Sequence, residues 1–406
     1  MANEIKIAKL DELLGPNLAP TEEISGYRTK SHTAKGDNFG SVMISLDVDI
    51  TDKETGKKRT LHLVNKMIPQ EEFIRKIFNT KITYFKEMDF YVKVVPAMLK
   101  LQQESGVPEE DWVSHIFPKC YGARHGFGEE VDDDAAILLE NLNSTGYALR
   151  DKKVGLDYNH TRLVMEKLAY FHALPIALKR LRPAEFERTV TVAAKPFTPN
   201  EDDDNKEEGE AKFFKMVEEV LGKLTIKPEI VQAAIAKIKS QPYGHYPSAV
   251  EPFITISHED LWVNNVLFQA GPQNEPVAMA FVDFQGIRLQ SPMLDLVFFL
   301  FTSVTPSVRR KHFDDFFDIY YENFIECLRQ LNCDTSEFSK AAFVAELNRV
   351  GESRLSEIYG RLRVVEVRKE EIVGEEWFMN PDLGGEAYLK RMEDVVLDFN
   401  DRGWLN

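Results

Sequence analysis

The stretch His258-Glu259-Asp260-Leu261-Trp262-Val263-Asn264-Asn265, followed by Phe281-Val282-Asp283-Phe284-Gln285, decides how the rest of the chain is read. Reduced to chemistry it is H-x-D-x4-N, then an Asp closing an apolar strand. Runs of strand-forming residues at 253–257 (FITIS), 264–269 (NNVLFQ) and 277–283 (VAMAFVD) place the first segment in a loop between short strands. Phosphoryl transfer from a nucleotide needs a carboxylate to accept the proton of an attacking hydroxyl, and oxygen ligands that hold Mg2+ against the phosphates. Asp260 can be the base, Asn265 one metal ligand and Asp283 the other. H-x-D-x4-N also arises by chance, and it is the flanking strands and the strand-ending Asp that give it weight. His258 reads as a residue that holds the loop backbone rather than one that does chemistry.

Working outward toward the N-terminus, residues 42–50 alternate, with Val42, Ile44, Leu46, Val48 and Ile50 apolar and Ser45, Asp47 and Asp49 polar between them. That is a half-buried strand. The segment 51–58 (TDKETGKK) is turn and charge, and 61–68 reads as the returning strand of a hairpin. Lys66 ends this strand, where its ammonium can reach phosphates, and Val64 shares its face and could line an adenine pocket. Glu87, in the helical run YFKEMDFY, is the natural ion-pair partner of Lys66. Each is unremarkable alone, one of many surface lysines and helical glutamates. The order Lys, Glu, H-x-D-x4-N, Asp is what makes them a kinase-type nucleotide site. Between these motifs, Ile137 to Leu142 ends a buried strand and enters a polar segment, so the backbone C=O of Glu140 and N–H of Leu142 are candidates to meet adenine. Gly36-Asp37-Asn38-Phe39-Gly40-Ser41 lies where a phosphate-covering turn belongs, with Ser41 as the contact. It fits neither G-x4-G-K-[ST] nor a full G-x-G-x-x-G, and plain turn chemistry explains it almost as well.

Residues 71–103 look helical, with Pro96 kinking or restarting the run. Strands follow near 115–122 and 135–140, and Val164, Leu168 and Phe171 mark a helix by their spacing. The acid-rich stretch 199–211 reads as a solvated loop between helices, and everything beyond Pro292 as helix. A sheet-rich first third and a mostly helical remainder make an α+β fold. The boundaries expected are an N-terminal extension over 1–30, a nucleotide-binding N-lobe over 31–140, and a C-lobe over 141–406 holding the catalytic loop and acceptor pocket. The aromatic residues of 298–321 read as core packing.

Composition removes several alternatives. The 406 residues include 50 basic and 66 acidic side chains, a formal charge of −16, which disfavours a non-specific nucleic-acid or anionic-membrane binder. With 43% hydrophobic and 11% aromatic residues the chain can build a sizeable core. The three cysteines, without a CxxC, make neither a disulfide framework nor a zinc site. No apolar run approaches the ~20 residues of a membrane span, and no signal peptide is evident, so a cytoplasmic protein is expected.

The phrases FPKCYGA, ILLENL, LAYFHAL, SHEDLWVNNVLF, FVDFQGIRLQSPMLDLVFFLFTS and the terminal RGWL resemble the ecdysteroid kinase-like (CHK kinase-like) proteins, from about residue 35 to the C-terminus. These are similar to choline kinases and aminoglycoside phosphotransferases. The resemblance implies a protein-kinase-like two-lobed fold, with a small antiparallel-sheet N-lobe and a larger, mainly helical C-lobe. It also implies ATP- and Mg2+-dependent phosphorylation of a hydroxyl on a small molecule, an ecdysteroid or a xenobiotic. Carried over, Asp260 is the catalytic base, Asn265 and Asp283 hold Mg2+, and Lys66 with Glu87 holds the ATP phosphates. Asp295 corresponds to a buried Asp that anchors the catalytic loop and must find hydrogen-bond donors. The family usually has Gly where this chain has Glu259, whose carboxylate is expected either to raise the pKa of Asp260 or to point to solvent. Two alternatives stay open: a choline- or ethanolamine-type kinase, which wants an aromatic and acidic cage that Trp377, Phe378, Tyr388 and Trp404 could build, and a pseudokinase that binds without catalysis. A metal-dependent hydrolase lacks any H-E-x-x-H or comparable cluster.

Overall fold

A computed structural model describes residues 6–31, 41–77, 79–196, 206–242, 244–372, 374 and 377–406. The chain divides into two compact units: Met1–Ala148 with Ala177–Lys195 and Leu267–Ile287, and Leu149–Ile176 with Pro196–Val266 and Arg288–Asn406.

The first unit begins with α1 (Leu10–Leu14) and is built on the antiparallel strands β1 (Glu22–Ser31), β2 (Val42–Asp52) and β3 (Lys58–Met67). The alternation of β2 is realised, with Ile44, Leu46, Val48 and Ile50 all buried. Ile7, Leu10 and Leu14 pack on the same face with Leu46, Val48, Ile50, Leu63 and Leu138. The hairpin turns where the Asp52 carboxylate accepts the N–H groups of Glu54 (3.0 Å) and Thr55 (2.7 Å), a short polar side chain capping its own turn. After β3 come α2 (Glu72–Ile77), α3 (Thr80–Asp89) and α4 (Val95–Glu104), then β4 (Cys120–Arg124) and β5 (Ala136–Glu140). The sheet order is β1-β2-β3-β5-β4. Five antiparallel strands, with three helices between the third and the fourth in chain order, match the sheet arrangement of the protein-kinase-like fold. Pro96 marks a restart of the helical run. It sits in the first turn of α4, where its missing N–H matters least, and a π-helical turn over Phe90–Val94 precedes it. Of the expected strand over 115–122 only its end is strand, because Val113–Ile116 is a 3-10 turn.

The strand β6 (Tyr147–Ala148) pairs with β8 (Val266–Ala270), beside β9 (Pro276–Phe281). In chain order the remaining elements are α5 (Tyr158–Leu181), α6 (Pro183–Phe186), α7 (Lys206–Leu221), α8 (Pro228–Ser240), β7 (Thr255–Ser257), β10 (Arg288–Gln290), α9 (Pro292–Ser303), α10 (Pro306–Gln330), α11 (Lys340–Gly351), α12 (Leu355–Glu366) and α13 (Gly385–Asp401). The acid-rich stretch is therefore helical from Lys206 onward. Glu208 pairs with Lys212 one turn on (2.9 Å), and buried Met216, Val217, Val220 and Leu221 anchor the helix. Residues 199–205 lie outside the described residues.

In the second unit every residue of α9 is buried, as expected of a helix apolar on all sides at the centre of a core. Phe298, Phe299, Phe301, Phe313, Phe316, Phe317 and Tyr320 are core, as are Cys327 and Cys333. Among the described residues no helix is long and apolar enough to cross a membrane.

Candidate active site

Lys66, Glu87 and Asp283 meet in the first unit. Lys66, near the end of β3, lies opposite Met43 of β2 and Ile137 of β5, so strands flank it on both sides. Its ammonium is 2.5 Å from Glu87 Oε2 and 2.5 Å from Asp283 Oδ1. Lys66 and Glu87 are buried, and Asp283 keeps a fifth of its side chain exposed. Burial works against the Lys66 cation, but the carboxylates of Asp283 and Glu87 outweigh it and hold its pKa above the ordinary value. Burial likewise pushes Glu87 up, against the pull of Lys66. A cation clamped by two carboxylates is a point charge of fixed position, which is what recognition of a phosphate requires.

Asp283 follows β9 in the left-handed region (φ 70°, ψ 64°), which Asp tolerates better than most residues. That turn aims its carboxylate back at Lys66 and sends Phe284 the other way. The Phe284 ring stacks on Phe90 at 3.8 Å and meets Phe117 edge-on at 5.3 Å, while Lys86 donates to the carbonyl of Ile287 at 2.9 Å. The π-helical turn contributes Phe90 and Tyr91 to this packing, so the helix that carries Glu87 also locks the segment that carries Asp283.

Glu140 ends β5 opposite Leu63, and its N–H donates to the Lys119 carbonyl (2.8 Å). Leu142 opens a short 3-10 turn over Leu142–Thr145. Glu140 thus lies on the strand next to that of Lys66, and Leu142 two residues beyond its end. Ser41 immediately precedes β2, and the rest of the candidate glycine turn, 36–40, lies outside the described residues.

The second unit holds Asp260 and Asn265. Asn265 closes the 3-10 turn Val263–Asn265, and its Nδ2 donates to the Asp260 carbonyl (2.8 Å) and to Asp260 Oδ2 (3.3 Å). The amide nitrogen is thereby committed to Asp260, which leaves Oδ1, a hard oxygen suited to Mg2+. Among the described residues no group of three or more His, Cys, Asp or Glu is placed to hold a metal. An Asp and an Asn fit Mg2+ as it binds with nucleotides, where one or two protein oxygens are completed by phosphates and water.

The loop is held from below by Asp295 on α9, which is fully buried. It accepts the N–H groups of His258 (2.5 Å) and Glu259 (3.0 Å), the Ser257 hydroxyl (2.9 Å) and His172 Nε2 (3.1 Å). Burial would raise its pKa, but His172, His258 and Arg354 hold it down at about 2. His172 in turn meets the Tyr320 hydroxyl through Nδ1 at 2.8 Å, and burial keeps this imidazole below its ordinary pKa. His258 contributes its backbone to the anchor.

Glu259 does not point to solvent. Its backbone is left-handed (φ 67°), a conformation Gly adopts without steric cost, and its carboxylate turns inward instead of toward solvent. Oε1 accepts from Ser257 (2.8 Å), and Oε2 lies 3.7 Å from the fully buried guanidinium of Arg354. Arg354 also reaches the Leu294 carbonyl (3.1 Å) and the Tyr246 hydroxyl (3.0 Å).

Two arginines near the loop escape a reading based on motifs. Arg354 balances the charge of Glu259 and Asp295. Arg361, about two turns beyond it on α12, bonds directly to Asp260 Oδ1 through Nη2, with its guanidinium 4.6 Å from the Trp262 ring centroid. No local signal singles them out: they stand seven residues apart on one helical face, but among mixed polar and apolar neighbours such as Ser356, Glu357 and Ile358.

Together these features define an α+β protein of protein-kinase-like architecture. The profile of the ecdysteroid kinase-like family covers residues 35–333, and the chain belongs to that family. Membership supports a small-molecule kinase as its activity class. Among solved structures the chain is similar to an ethanolamine kinase from Plasmodium vivax, at 13% identity and a TM-score of 0.38, covering 97% of this chain and 87% of that one. No curated protein is significantly similar in sequence.

Proposed function

We propose that the protein transfers the γ-phosphoryl group of ATP to a hydroxyl of an uncharged small molecule, an ecdysteroid or a similar hydroxylated xenobiotic. Asp260 takes the hydroxyl proton as the acceptor oxygen bonds to phosphorus and the bond to ADP breaks. Lys66, fixed by Glu87, neutralises phosphate charge, and Ser41 adds a contact to the phosphates. The Glu140 carbonyl and the Leu142 N–H hold adenine. Asn265 and Asp283 are the residues that would hold Mg2+, which when bound supplies charge stabilisation at the transferring phosphoryl group. Asn265 also keeps the Asp260 carboxylate oriented.

The observation that carries this reading is the clamp of Lys66 by Glu87 and Asp283, each at 2.5 Å. Burying one ammonium with two carboxylates is costly for a protein that has no use for it. The test incubates purified protein with ATP, Mg2+ and a panel of 20-hydroxyecdysone, ecdysone, choline and ethanolamine, with mass-spectrometric detection of phosphorylated product. One acceptor should gain a phosphoryl group. Asp260→Asn should lower the rate by at least about a hundredfold while ATP binding persists. Full transfer by Asp260→Asn would remove the base assignment.

A further inference from the structure

Resting on the phosphotransferase reading above, we propose that Arg361 sets the charge class of the acceptor. Its guanidinium occupies the position that a cationic alcohol would need, so the site selects uncharged alcohols over quaternary ammonium alcohols. A choline-type acceptor is held by two things, an open aromatic face for the cation and a carboxylate with charge to spare. Beside Asp260 both are already taken. Arg361 pairs with Asp260 Oδ1, and the same guanidinium lies 4.6 Å from the Trp262 ring centroid and 5.8 Å from that of Phe298. Lys152 Nζ stands 5.8 Å from the same Trp262 ring, and Trp262 itself is buried.

Of the other candidate cage residues of this unit, Phe378, Tyr388 and Trp404 each have an arginine beside the ring. Arg363 lies 5.7 Å from the Tyr359 ring, 5.5 Å from Phe378 and 5.6 Å from Tyr388. Arg402 lies 3.4 Å from the Phe313 ring and 5.5 Å from Trp404. Arg361 is the one of these three in contact with the proposed base. Its side chain is 20% exposed, so it is accessible to a ligand and not merely part of the core. A guanidinium there repels an incoming ammonium and offers N–H donors to a neutral oxygen.

The test uses two probes of one shape, choline and 3,3-dimethylbutan-1-ol, in which a carbon replaces the charged nitrogen. Phosphorylated product is measured with ATP and Mg2+ for the full chain and for Arg361→Lys, Arg361→Met and Arg361→Gln, alongside the acceptor panel. The full chain and Arg361→Lys should favour the neutral alcohol at least tenfold in kcat/KM. In Arg361→Met and Arg361→Gln the gap should shrink at least tenfold, and the use of two neutral variants covers the case in which one fails to fold. A preference for choline in the full chain, or a gap unchanged in both neutral variants, overturns the charge filter and leaves phosphotransfer standing. So does an absence of transfer to, or inhibition by, either probe in protein that phosphorylates another acceptor. Absence of Asp260-dependent transfer to every acceptor overturns the phosphotransferase reading, and the filter with it.

Discussion

Replacing Glu259 separates two opposed energies at the base of the loop that carries Asp260. Its left-handed backbone (φ 67°) costs a residue with a Cβ about 1–2 kcal/mol. Against that, its carboxylate accepts from Ser257 at 2.8 Å, worth about 1 kcal/mol, and partly balances buried Arg354 at 3.7 Å. Outright removal of one partner of a buried ion pair costs about 3–5 kcal/mol. Here the distance is long and Arg354 keeps Asp295 at 3.9 Å, so a loss of about 2 kcal/mol is the better figure. Glu259→Ala keeps the strain and loses both contacts, and should destabilise by about 3 kcal/mol. Glu259→Gly loses the same contacts but sheds the strain, and should cost about 1–2 kcal/mol. Urea unfolding followed by tryptophan fluorescence suits the measurement, since Trp262, Trp377 and Trp404, three of the chain's four tryptophans, lie in the second unit. If Gly and Ala variants unfold at the same midpoint, the strain is not there. If the Gly variant is more stable than the parent, the contacts with Ser257 and Arg354 contribute less than the strain costs.

Three further outcomes are expected. Lys66→Met strands the carboxylates of Glu87 and Asp283 and should destabilise the first unit by about 3–5 kcal/mol at neutral pH, a loss that shrinks as the pH falls and Glu87 takes up a proton; urea midpoints at two pH values check it. Asp283→Ala should abolish the Mg2+-dependent part of ATP binding, read by calorimetry with and without Mg2+, as well as transfer. Glu357 on α12 is pushed by burial, against Arg354, from 4.5 to about 7. Because this folded-state pKa lies above the unfolded one, its ionised form costs stability that is absent below about pH 4.5 and complete above about pH 7, up to about 3 kcal/mol. Glu357→Gln should therefore flatten the fall in thermal midpoint across that window, and an unchanged pH profile would contradict the burial argument.

What could be read along the chain was what depends on local periodicity and on motif spacing. The alternation of Ile44 to Ile50 announces β2 because a half-buried strand exposes every second side chain. H-x-D-x4-N followed by Asp283 is legible because one loop and the next strand supply all its residues. Strand β1 carries no such signal, since Glu22 to Ser31 is largely polar and becomes a strand by pairing with β2. The helical start of the acid-rich stretch was hidden for a similar reason: its buried residues come only after Lys212.

Only the tertiary structure could decide where charges separated by long stretches of chain come to rest. Lys66 and Asp283 are 217 residues apart, and their order hinted at a shared task without giving a distance. The pairing of Arg361 with Asp260, and the inward turn of Glu259 to Arg354, had no local signature at all. A side chain's partner in a buried network is set by which opposite charge leaves the least uncompensated charge away from water. That balance is struck among elements brought together by folding, and no window of sequence contains it.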